Sequence, residues 1–394
     1  MYRRIQYNTL IKRIDEPRRF IQVVTGPRQI GKTTLVHQVL DEIDIPYHFA
    51  SADDTYSDNS TWIEQQWEVA RLKWKQKESQ SFLLVIDEIQ KIKEWSREVK
   101  NQWDKDSRTQ SAIKVILLGS SRLLLEEGLT ESLAGRFEQI FMTHWSFEEM
   151  QSAFDLTLEE FIWFGGYPGA ISLKGEEQRW KNYIRNAIIE TTISKDILQL
   201  ARIYKPALLR RTFEFSCNYS GKIFSYTKML GQLLDAGNTT TLANYLSLLN
   251  SANLVSGLEN YSGSLVRTKA SSPKLHVQNT AFIAALKKET LSEVLLKRDD
   301  WGQHVESAIG AHLLNNIIGT NMKLYYWRHR DKEVDFVLEY GTKIIGIEVK
   351  SGASGFHKGT AAFKAKYHPH KVLLVGRGGI EIDDFLLLNP ADLF

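Results

Sequence analysis

Residues 26–33 read GPRQIGKT and fill every fixed position of the pattern G-x-x-x-x-G-K-[ST]. The glycines let the backbone turn so tightly that successive N–H groups face one phosphate. A helix beginning after Gly31 adds its positive N-terminal end. In this reading Gly26, Pro27, Arg28, Gln29, Ile30 and Gly31 form the cradle, with Thr34 completing the set. Lys32 bridges the outer two phosphates of ATP, and Thr33 gives its hydroxyl to Mg²⁺. The pattern needs a strand before it and a helix after it. Phe20–Thr25 reads as a short buried strand and Thr33–Ile43 as a helix.

A phosphate loop of this kind also needs a carboxylate for the metal. Phe82–Ile86 (FLLVI) is a continuous apolar run, as expected of a parallel strand buried on both faces, and it ends in Asp87 and Glu88. Open α/β sheets hold their ligands at such strand ends. Asp87 is placed in the Mg²⁺ shell, and Glu88 orients and deprotonates the attacking water. Val115–Leu118 is another buried strand, and Ser120 beyond it is positioned to hydrogen-bond the terminal phosphate or that water. Arg136 is the candidate arginine finger acting on a neighbouring subunit, with Arg122 a weaker rival. Pro46–Ala50 reads as a further strand and Ile63–Lys77 as a helix. Strands alternating with helices predict a parallel α/β sheet covered on both faces.

The rest of the composition sets bounds. The chain has 394 residues, 43% hydrophobic and 25% charged, which excludes a disordered chain and a collagen-like fibre. Cys217 is the lone cysteine, so there is no intramolecular disulfide and no cysteine-rich zinc site. Fifty Lys and Arg against forty-seven Asp and Glu leave +3, too little to argue for nucleic acid by itself. No apolar run nears the ~18 residues of a membrane span, and the basic N-terminus lacks the apolar core of a signal peptide. A cytoplasmic protein without a membrane partner is expected.

Near the end of the chain, residues 333–351 read EVDFVLEYGTKIIGIEVKS. With a turn at Tyr340 and Gly341, Asp335 falls opposite Glu348 on a hairpin. Glu348 and Lys350, two apart, share a face. Two acids and a lysine then converge. The acids can bind Mg²⁺ or Mn²⁺ through oxygen, and Lys350 can polarise an attacking water. Glu306, in a helix over 301–318, lies in one stripe with Ile309, Gly310, Leu313 and Ile317, where a carboxylate is costly without a partner.

The loop GPRQIGKTT, the runs DEIQKIKEW at 87–95 and SLAGRFEQI at 132–140, and the turn GGYP at 165–168 resemble prokaryotic AAA-fold ATPases. The ones resembled carry a C-terminal domain related to PD-(D/E)xK endonucleases. The resemblance covers nearly the whole chain. It implies a helical lid after residue 150 hinged at Gly166 and Pro168. It also implies that Glu306, Asp335 and Glu348 hold a metal, with Lys350 beside them.

Between these parts, residues 225–251 read as two helices about a turn at 235–238. Thr239 or Thr240 is expected to cap the second, and residues 253–269 to form a wing. Thr241, Asn244 and Ser247 would face DNA, although that helix carries no Arg or Lys. The expected fold is therefore α/β. A P-loop ATPase core of AAA type spans 1–150 and a helical lid 151–205. A winged helix spans 206–275 and a restriction-endonuclease-like domain 276–394.

Three readings follow. One is an ATPase coupled to a metal-dependent nuclease, with DNA ahead of RNA as substrate. Another is an ATP-dependent switch or DNA-binding remodeller that does not cleave. The third is a signalling ATPase with a protein partner. An arginine finger would further imply a homo-oligomer.

Overall fold

The computed structural model describes residues 2–54, 61–77, 79–120, 132–198, 203–233, 237–263, 271–350 and 358–394. Arg122, residues 235 and 236 of the expected turn and residues 264–269 of the expected wing lie outside these. The chain divides into two compact units, residues 1–142 and 143–394. No helix of the described residues is long and apolar enough to cross a membrane.

The first unit is built on five parallel strands: β1 (Ile21–Thr25), β2 (Tyr47–Ser51), β3 (Phe82–Asp87), β4 (Ile113–Gly119) and β5 (Phe137–Phe141). Their order across the sheet is β2-β3-β4-β1-β5. Every residue of β1 and β3 is buried, which is why both read as unbroken apolar runs. Among the described residues four α-helices accompany the sheet: α1 (Gln6–Asp15), α2 (Lys32–Leu40), α3 (Thr61–Lys77) and α4 (Trp95–Arg108). α3 and α4 are clamped by a buried polar knot. Arg71 donates through Nε to Asp106 Oδ1 at 2.8 Å, and Trp67 donates through Nε1 to Asp106 Oδ2 at 2.8 Å. Asp106 is fully buried, so these bonds are what make its charge tolerable there.

In the second unit one apolar core runs from Phe147 through Ile188, Leu209, Leu246 and Phe282 to Phe336. It begins with α5 (Phe147–Phe154) and α6 (Leu158–Phe164), each opened by a reciprocal capping box, Ser146 with Glu149 and Thr157 with Glu160. The turn after α6 contains Gly165 and Gly166. A Cβ on Gly166 would meet the Trp145 carbonyl oxygen at 2.2 Å, and the Gly166 N–H donates to Asn279 Oδ1 at 3.2 Å. The glycine is there for close backbone approach.

α7 (Glu177–Tyr183) continues into a wider-wound stretch over Ile184–Ile197. Next come α8 (Pro206–Asn218), α9 (Tyr226–Gln232) and α10 (Thr239–Ser251). The cap of α10 is Asn238 rather than a threonine: its Oδ1 accepts the Thr241 N–H at 2.8 Å and the Thr241 hydroxyl at 3.0 Å. That engages Thr241 within the turn, while Asn244 and Ser247 are exposed. β6 (Val255–Leu258) and β7 (Lys274–Val277) then pair antiparallel.

The chain closes on α11 (Ala281–Leu286), α12 (Leu291–Leu295), α13 (Arg298–Ile317) and a four-stranded sheet. This sheet contains β8 (Lys323–His329), β9 (Lys332–Tyr340), β10 (Lys343–Lys350) and β11 (Lys371–Gly376), in the order β11-β10-β9-β8. The β9–β10 register runs from Lys343 opposite Tyr340 to Ile347 opposite Phe336, as the expected turn requires. One step further sets Glu348 against Asp335.

Candidate functional site

Three parallel strands bring the first site together. β1 lies beside β4, and β4 lies beside β3, so their C-terminal ends share one edge. β1 ends in the Gly26–Thr33 loop, β4 in Ser120, and β3 in Asp87 and Glu88. The loop depends on its glycines. A Cβ on Gly26 would meet the Met142 carbonyl oxygen at 2.0 Å, and Gly31 turns at φ +91°. Gly31 precedes α2, and no side chain caps that helix. Its first amides are thus offered to an anion, as a phosphate requires.

Lys32 is buried, its ammonium donating to the Gly26 carbonyl at 2.9 Å and the Pro27 carbonyl at 2.7 Å. The loop so positions the cation that neutralises phosphate. Thr33 Oγ1 donates to Asp87 Oδ2 at 2.8 Å. A hydroxyl and a carboxylate in contact are hard oxygen donors of the kind Mg²⁺ takes, so these residues fit the metal that accompanies ATP. Among the remaining cradle residues, Ile30 is fully buried, Pro27 is buried, Arg28 is half-buried, and Gln29 and Thr34 are exposed.

Glu88 stands at φ +52°, its N–H donating to Asp87 Oδ1 at 2.8 Å. Its carboxylate accepts from Gln90 Nε2 at 2.6 Å, and the same nitrogen lies 3.2 Å from Ser120 Oγ. Gln90 therefore links the acid at the end of β3 to the serine at the end of β4. In the sequence Gln90 stands only as the last residue of DEIQ, with no pattern that marks a role. A glutamine two residues beyond Glu88 carries no periodic signal; only the turn between them brings the amide back. Arg136 is held by Asp104 of α4 through two bonds, Nε to Oδ1 at 2.8 Å and Nη2 to Oδ2 at 3.2 Å. In this state its guanidinium is engaged within its own chain.

The second constellation lies in residues 143–394. Glu306 on α13, Asp335 on β9 and Glu348 with Lys350 on β10 do approach one another. Glu348 and Lys350 pair at 2.9 Å, and Asp335 Oδ2 accepts the Val349 N–H at 2.8 Å. A residue the sequence reading did not name sits among the acids. Lys274 of β7, its side chain 1% exposed, places its ammonium 2.8 Å from Glu306, 3.2 Å from Asp335 and 3.2 Å from Glu333. The expectation of a metal held by Glu306, Asp335 and Glu348 thus meets an arrangement centred on a lysine. Among the described residues no group of three or more His, Cys, Asp or Glu is set to hold a metal ion. The donor set does not fit a divalent cation while Lys274 is in place.

Burial opposes the charge on Lys274, but Asp335, Glu306 and Glu333 outweigh it and raise its pKa above the usual lysine range. Burial raises Glu306, with Asp335 adding to the effect against Lys274. Glu348 is pushed up to about 7, first by burial and then by Asp335, against the pull of Lys350 and Lys274. A raised carboxyl pKa means that the folded chain keeps a proton the unfolded chain loses above 4.5. Stability from this group is full below 4.5 and is lost as pH rises through about 7. The window corresponds to on the order of 3 kcal/mol. Glu348→Gln should therefore stabilise residues 143–394 at pH 8 and change little at pH 4.5, read as denaturant midpoints. Equal shifts at both values would defeat the argument.

Comparison with known proteins divides the chain into three stretches. Residues 18–151 match the AAA domain family, residues 155–293 a domain of unknown function (DUF8612), and residues 301–386 a domain of unknown function (DUF4143). An uncharacterized protein of Mycobacterium bovis and one of Mycobacterium tuberculosis are each 27% identical over 339 residues, which cover 84% of this chain and 70% of theirs. Residues 18–151 are thus similar to the AAA domain family, the parallel five-stranded sheet and the loop geometry fit a P-loop NTPase-like fold, and the two stretches that follow are similar to families of unknown function.

Proposed function

We propose that the chain binds ATP with Mg²⁺ at the strand ends of residues 1–142, hydrolyses it, and uses the nucleotide state to control nucleic-acid binding by residues 143–394 without cutting. The contact of Thr33 with Asp87, beside the loop-held Lys32, carries the nucleotide part of this reading. Lys32 exchanges the carbonyls of Gly26 and Pro27 for phosphate oxygens. Thr33 and Asp87 would hold Mg²⁺, whose charge offsets that of the triphosphate. Glu88 takes the proton of the attacking water, with Ser120 and Gln90 fixing its surroundings. Arg136 would serve a neighbouring copy in a homo-oligomer only by giving up Asp104.

The non-cleaving part is favoured by the lysine at the acidic centre. Binding is favoured by what surrounds it. A cavity of about 510 Å³ is lined by Glu306, Asp335, Lys222 and Arg328, and one of about 440 Å³ by Lys228, Arg328, Arg330 and Tyr326. Lys222, Lys228, Arg328 and Arg330 are exposed cations along this surface, suited to a phosphodiester backbone. The helix–turn–helix and hairpin over 206–277 are read as a winged helix packed beside it.

The test is fluorescence anisotropy with single-stranded, duplex and branched DNA and with RNA, with and without ATP, alongside a cleavage assay in Mg²⁺ or Mn²⁺. Binding should respond to ATP and weaken in Lys222→Glu/Arg328→Glu, with the salt slope falling by roughly 0.7–0.9 per lost phosphate contact. Cleavage abolished by Asp335→Ala would restore the nuclease reading. Absence of binding to every nucleic acid would point to a protein partner instead.

A further inference from the structure

We propose that Lys274 is the resident cation of the acidic centre formed by Glu306, Glu333 and Asp335, so that this centre works without a divalent metal while the lysine is in place. The inference rests on residues 143–394 alone and does not depend on the nucleotide reading of residues 1–142.

An ammonium has three N–H donors and no acceptor. Lys274 finds three carboxylates within 3.2 Å, one from α13 and two from β9. Its stem is fixed as well as its head. The residue opens β7, pairs with Leu258 across the hairpin, and bridges to Ile223 on its other side. Its ammonium lies 5.4 Å from the centre of the Phe336 ring, which closes off the apolar side. A divalent cation bound by these carboxylates would need their oxygens at about 2.0–2.6 Å from itself, inside the volume the ammonium fills. The two cations would also repel at that range. Lysine and metal therefore exclude each other on both steric and electrostatic grounds.

A second observation concerns the acids themselves. Glu348 Oε2 is buried and has no hydrogen-bond partner, although Glu348 shares the field of Asp335. The centre holds more carboxylate oxygen than Lys274 and Lys350 satisfy. The cavity lined by Glu306, Glu333 and Asp335 gives an ion a route in. Replacing Lys274 by an uncharged side chain leaves clustered oxygen donors of the kind that take Mn²⁺ or Mg²⁺.

The experiment is a Mn²⁺ titration followed by electron paramagnetic resonance. It uses the nucleotide-free full chain carrying Asp87→Asn, which removes the carboxylate donor of the nucleotide site. With Lys274 present, no Mn²⁺ binding that depends on Asp335 is expected. Lys274→Gln should gain one Mn²⁺ per chain, and that gain should vanish in Lys274→Gln/Asp335→Asn. Mn²⁺ binding by the Lys274 chain that is lost on Asp335→Asn would overturn the proposal, because the lysine would then yield to the metal. If Lys274→Gln is unfolded in metal-free buffer, recovery of its circular dichroism on adding Mn²⁺ supports the proposal. A Lys274→Gln chain that takes up no Mn²⁺, folded or not, counts against it.

Discussion

Glu88→Gln is expected to leave ATP binding intact and to slow turnover by roughly 10²–10⁴-fold, the usual contribution of a positioned general base. The amide keeps the shape of the side chain and its place at the end of β3 but cannot accept a proton from water at neutral pH. Lys32→Ala is expected to act one step earlier and remove nucleotide binding, because the loop loses the cation it holds between Gly26 and Pro27. Binding is read by fluorescent-nucleotide titration, and chemistry by single-turnover phosphate release. The pair of variants separates the two roles: tight binding with stalled release for Glu88→Gln, no binding for Lys32→Ala. Turnover at the wild-type rate in Glu88→Gln would take the base assignment away. In that case Gln90, which donates to Glu88 at 2.6 Å and reaches Ser120, would have to be re-read as a structural tie.

How much of this could be read from the sequence depended on how each residue signals. The loop and the two strands that flank the central β4 were legible because a parallel strand buried on both faces leaves an unbroken apolar run, and β1 and β3 are buried throughout. α4 was not singled out. Its inward face combines Trp95, Val99 and Trp103 with Gln102 and Asp106, and the buried polar pair breaks the apolar stripe that marks a helix. β5 was hidden for the opposite reason. It lies at the sheet edge, and of its five residues only Ile140 is buried.

The second site shows a different limit. The facing of Asp335 and Glu348 followed from one turn and the two-residue period of a strand, and the β9–β10 register carries it. Lys274 lies 61 residues before Asp335, on a hairpin that sequence grouping had assigned to a different segment. No local period connects them. The convergence of Asp335 and Glu348 on one hairpin face, with the family resemblance, pointed to a metal as the cation among the acids. The missing cation was in the chain, and only tertiary packing brings it there.

That placement sets the second large effect. Lys274→Met is expected to destabilise residues 143–394 by roughly 3–5 kcal/mol, the usual cost of leaving buried charge without its partner. Methionine fills similar volume, so little of the loss comes from a cavity; it comes from Glu306, Glu333 and Asp335 facing one another unneutralised. The same physics predicts the rescue. Adding Glu306→Gln and Asp335→Asn to Lys274→Met removes most of the uncompensated charge, and replacing a whole buried ionic group is often near neutral. Stability of the triple variant should therefore return most of the way to that of the wild type, while Glu306→Gln/Asp335→Asn with Lys274 kept should remain weak. Urea denaturation followed by circular dichroism reads all of these on one scale. Non-additivity of this sign is the signature of a cluster whose members are held by each other. If the triple variant is instead as unstable as the sum of its parts, the lysine is held by packing and not by the acids around it.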